Sequence, residues 1–276
     1  MRSYTSAMRL GASPWGSDRA TALGFADGLV AAGIDSLWLG DGIFHRPDFA
    51  GWRGGLESLT ELAWLAGRHP SARVGITAAV LPLRDVEWLA REAATLDHLT
   101  EGRFVLGVAA GFWDDELSHR GVDPVRRGEE LRRRLATLRA LLAGGPLSPA
   151  PLTPGGPPIW LAGGAPTMRL ALELGLPYQA SRALPDELAP MAARWFDAGG
   201  SLLAHRIYVE AGDDVPDDVQ VARHALSGSA AALADGLARY RELGVGDCSM
   251  MLGHDDRSAR RTLDVLAAEV LPDLGW

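Results

Sequence analysis

Eight times along these 276 residues a short apolar run gives way to an amphipathic stretch, and that alternation limits the fold more than any other feature. The runs fall at 8–12, 36–40, 73–80, 104–109, 158–162, 178–181, 202–209 and 248–252. Between them lie spacings of three and four, such as Val86, Leu89, Ala93, Leu96 and Leu131, Leu135, Leu138, Leu142, which put apolar side chains on one helical face. Strand and helix in strict alternation predict an α/β fold with a parallel sheet. Gly33, Gly175, Gly199 and Gly244 each close a helical pattern just before the apolar chain resumes, where a left-handed C-cap is needed. Asp123 and Pro124 supply a cap and a first-turn proline for the fourth helix.

Eight units in a chain of this length fit a TIM-type (β/α)8 barrel, which typically takes about 250 residues. The rival is a doubly wound open sheet, which binds a nucleotide at a glycine-rich first turn. That turn here reads Gly11, Ala12, Ser13, Pro14, Trp15, Gly16 and carries no dinucleotide fingerprint. The Pro/Gly-rich stretch 144–158 reads as a loop between the fourth helix and fifth strand, since either half alone holds only four units. Residues 8–276 are therefore expected to form one domain after a polar tail at 1–7, with Met8 as an alternative start.

Composition removes several chemistries. All 27 basic residues other than histidine are arginine, and without lysine no Schiff base forms. A net charge of −8, with the arginine triplet 132–134 inside a helical pattern, argues against a nucleic-acid partner. Cys248 is the only cysteine, so neither an intrachain disulfide nor a multi-cysteine metal site is available. With no signal-peptide pattern and no apolar run of 18 residues, a cytoplasmic, membrane-free protein is expected. There is no G-x-S-x-G elbow, no phosphate-loop lysine motif and no H-E-x-x-H, and no metal is expected.

In a barrel the residues just after each strand carry function. Those are Asp41 after the second, Thr77 and Ala78 within the third, 109–113 after the fourth, 163–167 after the fifth and Arg182 after the sixth. Gly163, Gly164, Ala165, Pro166 and Thr167 lead from strand to helix, where backbone N–H groups and a helix N-terminus can receive a cofactor phosphate. The same glycines would also serve a plain tight turn. His45 and His254 lie past the second and eighth strands, and His45 is the candidate proton handler.

Two stretches carry a family resemblance: Val80, Leu81, Pro82, Leu83, Arg84, Asp85, and then the run from Leu96, Asp97, His98 through Gly102, Arg103, Phe104 to Gly107 and Val108. Together with Gly121, Val122, Asp123, with the run from Pro158 to Gly164, and with the Leu243, Gly244, Val245 joint, they resemble the bacterial luciferase-like monooxygenases and deazaflavin-dependent oxidoreductases over nearly the whole chain. The resemblance implies a barrel, usually a homodimer, with FMN or the deazaflavin coenzyme F-420 as cofactor. It implies phosphate contacts at Gly163, Gly164, Ala165 and Thr167, a bulge with a non-prolyl cis peptide at Thr77 and Ala78 under the cofactor ring, and the small residues Ala109 and Gly111 beside it. Trp113 stands where luciferase places an aromatic hydroxyl near the phosphate; an indole N–H can donate there but cannot accept.

One departure touches mechanism. Relatives read Asp-His or Glu-His where this chain reads Asp41, Gly42, so either acid–base work falls to Asp41 and to His45, three residues beyond the glycine, or the reaction relies on the cofactor alone. The expected function is an oxidoreductase acting on a small organic substrate. FMN would make it a monooxygenase, with a flavin reductase as the source of reduced cofactor; F-420 would make it a hydride-transfer enzyme. The alternative, kept open by Gly42, is a non-catalytic flavin-binding protein or partner subunit. A metal-dependent sugar-phosphate enzyme would have only scattered Asp41, His45 and Asp255 to use.

Overall fold

The computed structural model describes residues 8–14, 18–44, 55–213 and 224–275. The strands are β1 (Arg9–Ala12), β2 (Ser36–Leu39), β3 (Arg73–Val80), β4 (Phe104–Ala109), β5 (Ile159–Ala162), β6 (Tyr178–Ser181), β7 (Leu203–Ala211), β8 (Ala225–Gly228) and β9 (Val245–Leu252). The helices are α1 (Arg19–Ala31), α2 (Ser58–Arg68), α3 (Val86–Leu99), α4 (Asp114–His119), α5 (Arg127–Gly144), α6 (Ala165–Leu174), α7 (Pro185–Asp197), α8 (Ala230–Glu242), α9 (Asp256–Val265) and α10 (Leu271–Leu274). In order of hydrogen-bonded neighbours the strands run β6, β5, β4, β3, β2, β1, β9, β7, and β6 pairs again with β7. That closed order of eight strands is a (β/α)8 barrel, as the eightfold alternation predicts.

Two compact units make up the chain. One takes in the described residues up to Trp38 and from Pro177 onward; the other takes Leu39–Phe44 and Gly55–Leu176. In the first, β1 lies between β2 and β9 in parallel, and β9 lies against β7. Its core is aromatic. Trp38 covers Gly11, where a Cβ would stand 2.3 Å from the indole nitrogen, and donates to Ser36 Oγ at 2.8 Å. Trp195 of α7 packs beside Tyr178 with ring centroids 5.5 Å apart, and both are fully buried. Cys248, in the middle of β9, is fully buried too.

The sequence pattern misses one element of this unit. β8, Ala-Leu-Ser-Gly, is short, half small residues, and shows no apolar alternation. It pairs with Tyr208–Ala211 of β7, beyond the stretch Leu203–Arg206 that β6 occupies, and so lengthens the sheet along that edge.

In the second unit β4 lies in parallel between β3 and β5. The leucines at 131, 135, 138 and 142 are all buried, as are Leu89, Ala93 and Leu96, so the two helical faces read from spacing are real. Each buried leucine contributes about 1.5–3 kcal/mol over its exposed state. Asp123 caps not the long helix itself but a 3-10 turn, Pro124–Arg126, that runs into α5; its carboxylate accepts from Val125 N at 2.9 Å. The short α4 precedes it. Past Gly144, where α5 ends, the stretch up to Pro158 is a loop, as expected, and buried Asp97 holds it by accepting from Thr153 N at 2.6 Å and Thr153 Oγ1 at 2.9 Å. The four joint glycines all have positive φ, from 65° at Gly175 to 84° at Gly33. Residues 1–7 and His45 lie outside the described residues.

Candidate functional site

The second unit brings together the ends of β2, β3, β4 and β5, and with them every described residue expected to touch a cofactor. β2 ends at Leu39. Gly40 follows, its carbonyl accepting from Ser58 Oγ at the start of α2. Asp41 comes next and is almost fully engaged. Its Oδ2 accepts from Val80 N at 2.8 Å and Arg84 Nε at 2.9 Å, and its Oδ1 accepts from Arg84 Nη2 at 2.6 Å. This is the two-pronged arginine–carboxylate geometry. Asp41 is 7% exposed and Arg84 17%, so the pair is shielded from water. Burial by itself would lower the guanidinium pKa, but the bonds to Asp41 and Glu57 outweigh it and hold Arg84 charged. Glu57, the cap of α2, sits 2.8 Å from Arg84 Nη2; burial works against its ionisation, and the bonds from Arg84 and Thr60 overcome that and lower its pKa.

Beyond Asp41 and Gly42, the chain is fastened to α4. Ile43 N and Phe44 N donate to Glu116 Oε1 at 2.6 and 3.2 Å, and Glu116 is buried. The Phe44 ring meets Trp113 edge-on at 6.4 Å and His119 at 4.7 Å. Half-buried Trp113 occupies the N-cap position of α4.

The expected bulge is present in β3. Register passes from Ile76 opposite Leu106 to Ala79 opposite Val108, so Thr77 and Ala78 together face the single Gly107. The Thr77–Ala78 peptide is cis. Gly107 is required there, because a Cβ on it would lie 2.4 Å from the Ile76 carbonyl oxygen. Thr77 is buried, while Ala78 and Ala109 are partly open. Gly111, at φ 82°, backs onto Val80 and Leu117.

The turn from β5 into α6 differs from the other helix starts. Gly163 has φ 154°, and Thr167 Oγ1 folds back to within 2.6 Å of where its Cβ would be. Gly164 is the N-cap, with no side-chain cap and no acidic residue in the first turn. Among the described α-helices only α6 lacks both; α1, α2, α3, α8 and α9 have side-chain caps, and α4, α5, α7 and α10 carry acidic residues. A missing cap costs about 0.5–2 kcal/mol. Gly164 is exposed, and a Cβ there would meet nothing nearer than Pro166 Cδ at 3.9 Å.

Asp41 is thus the one described residue of the two expected to do acid–base work, and it is spent on Arg84. The rest is a small-residue surface with backbone and hydroxyl donors at one end. Spacing alone did not reveal the partners Arg84, Glu57 and Glu116. Arg84 was legible only as part of the stretch that carries the family resemblance; beside it Asp85 caps α3, accepting from Trp88 N at 2.9 Å. Asp255, once a conceivable metal ligand, caps α9 through Ser258 N at 2.7 Å.

Residues 4–201 match the family described as luciferase-like monooxygenase. A 124-residue stretch is 36% identical to 4-hydroxyprotoasukamycin monooxygenase of Streptomyces nodosus subsp. asukaensis, covering 44% of this chain and 32% of that protein. A 145-residue stretch is 27% identical to the oxygenase component of the flavin-dependent trigonelline monooxygenase of Acinetobacter baylyi, covering 47% of this chain and 39% of the other. The matches therefore span about a third of the first relative and about two fifths of the second. An F-420-dependent secondary alcohol dehydrogenase, solved with an F-420–acetone adduct, shares the fold at TM-score 0.75 and 16% identity, over 97% of this chain and 99% of its own. With the bulged third strand, the open helix start after the fifth and the family match across most of its length, the chain belongs to the luciferase-like monooxygenase family.

Proposed function

We propose that this chain is an oxidoreductase that holds a reduced flavin-type cofactor, FMN or F-420, against β3 and β4 and acts on a small organic substrate. The observation that carries the reading is the uncapped, acid-free N-terminus of α6 behind Gly163 and Gly164. A helix start of that kind favours an anion through its backbone N–H groups and dipole. Thr167 Oγ1 lies at the same turn and supplies a hydroxyl. Ala78, Ala109 and Gly111 leave room for a flat ring, and Trp113 borders them as an indole donor. When bound, FMN supplies monooxygenation with molecular oxygen, and F-420 supplies hydride transfer.

The protein's own contribution is position. The Asp41–Arg84 pair ties the end of β2 to the end of β3, so the bulge beside the ring is held from one side by an ion pair. Asp41 is a positioning residue in this reading, and proton handling falls to His45. A relative whose name marks it as an oxygenase component supports a separate reductase as electron source. A cytoplasmic homodimer, with 8–276 as one domain, completes the proposal.

Titration of purified protein with FMN and with F-420, each oxidised and reduced, tests it. Gly164→Asp is the control, since φ −81° and open space let the fold accept a side chain there. One cofactor should bind, and the acidic variant should weaken it by at least about tenfold, the effect of about 1.4 kcal/mol. If neither cofactor binds, the reading fails. If one binds but no substrate is turned over, the chain is a flavin-binding partner subunit.

A further inference from the structure

Two large apolar side chains stand exposed just past barrel strands of the second unit, and neither has a part in the cofactor reading. Ile43 comes soon after the end of β2 and is 54% exposed; Phe112 comes soon after the end of β4 and is 61% exposed. Single exposed apolar residues are ordinary. What sets these two apart is the support behind each. Buried Glu116 accepts from the backbone N–H groups of Ile43 and Phe44, which fixes the chain at Ile43 against α4. A carboxylate is costly to bury unless it is hydrogen-bonded, and the two N–H donors meet that condition. Arg127, at the start of α5, grips the chain on either side of Phe112: Nη1 donates to the Gly111 carbonyl at 3.3 Å and Nη2 to the Asp114 carboxylate. Its Nε donates to the Pro124 carbonyl at 2.6 Å, so the whole fork is held.

The same contacts bring the two loops together. The Phe44 ring is turned onto α4, where it meets Trp113 and His119 edge-on, while Ile43 and Phe112, each one residue earlier in its loop, are left in the open. Both loops flank the end of β3: Asp41 ties the first to Val80 and Arg84, and β4 pairs with β3 directly. Barrels of this class bind their ligands at these strand ends. Backbone that is fixed before a ligand arrives lowers the ordering cost of binding. Size then limits the occupant. An aromatic side chain covers about 150–250 Å², whereas a stable protein interface takes about 800 Å² from each partner, so this pair fits a small molecule. Charge limits it further. Asp114 and Asp115 follow at exposed positions, and Arg84 and Arg127 are both turned onto carboxylates, so an anion entering here meets like charge.

We propose that Ile43 and Phe112 are specificity-determining residues that receive an uncharged aromatic or hydrocarbon group, the body of the substrate, and that Glu116 and Arg127 are the positioning residues behind them. Only the word substrate rests on the oxidoreductase reading; the apolar contact does not.

Equilibrium dialysis of the whole, cofactor-free protein against 2-naphthalenemethanol, and against its anionic counterpart 2-naphthoate, tests the contact. The neutral probe should bind the wild type at least about tenfold more tightly than the anion. Ile43→Ser and Phe112→Ser should each weaken it about tenfold, the scale of one apolar side chain removed from water. Leu99→Ser, comparably exposed at the last residue of α3, should change nothing. All three side chains are exposed, so these variants should keep the wild-type melting temperature. Glu116→Ala should weaken the probe as Ile43→Ser does, read on protein that circular dichroism shows to be folded, and Glu116→Gln, which keeps an acceptor oxygen, should restore it. The proposal is overturned if the wild type does not bind the neutral probe, if 2-naphthoate binds as tightly, or if either Ile43→Ser or Phe112→Ser keeps full affinity. Loss of the probe in Leu99→Ser also overturns it, by marking general adsorption to apolar surface, and full affinity in folded Glu116→Ala overturns the positioning role. Probe binding that survives when neither FMN nor F-420 binds would leave the apolar contact standing and remove the oxidoreductase reading alone.

Discussion

Asp41 illustrates how a residue can sit where catalysis is expected and be committed elsewhere. Its position after a barrel strand marked it as an acid–base candidate, and that position was legible from the alternation of strands and helices. The ion pair was not, because Arg84 lies 43 residues on and only the closed sheet brings the two strand ends together. Removing one partner of a shielded pair costs more than removing both, since the survivor is left desolvated. Asp41→Leu should therefore lower the unfolding free energy by about 3 kcal/mol, and Asp41→Leu combined with Arg84→Leu by clearly less than the sum of the two single changes. Urea unfolding of the four proteins measures this. Additive losses would show that the pair is not coupled.

At the scale of elements, glycine and the bulge depend on one another. Gly107 faces two residues of β3 where an ordinary ladder has one, and the Ile76 carbonyl occupies the space a side chain would need. Gly107→Ala forces that strand to move and should cost about 1–3 kcal/mol, with cofactor affinity falling alongside stability. An unchanged melting temperature would argue that the bulge relaxes freely. The element order was readable because all eight barrel strands come from apolar runs bounded by turn residues, and because the leucine stripe of α5 keeps its spacing over three turns. β8 was not readable, since four residues with a serine and a glycine among them make no period. The cap of α6 falls between these cases. Its glycines were visible in sequence, yet their distinction lies in what the other helices have, and that emerges only when all the caps are compared.

For the molecule as a whole, acidity should act through buried His205. Burial lowers its pKa to about 4, against 6.5 for the ordinary side chain. The folded protein therefore keeps it neutral where the unfolded chain would protonate it. Its contribution is complete above pH 6.5 and drains away toward pH 4, at about 1.4 kcal/mol per pH unit at most. Denaturation midpoints taken between these limits should fall with pH, and His205→Gln should flatten that slope. A variant with the wild-type slope would place the acid sensitivity elsewhere. No helix among the described residues is long and apolar enough to cross a membrane.

Cys248 adds a further consequence. It is the chain's single thiol, it sits in the middle of β9, and burial pushes its pKa well above the ordinary range. A thiol in that state does not react until the sheet around it opens. The labelling rate of this one sulfur by an aromatic disulfide reagent should then follow opening of the barrel, falling when a ligand binds and rising when Asp41 or Gly107 is changed. The native chain carries its own probe of breathing motions, with no engineered site needed.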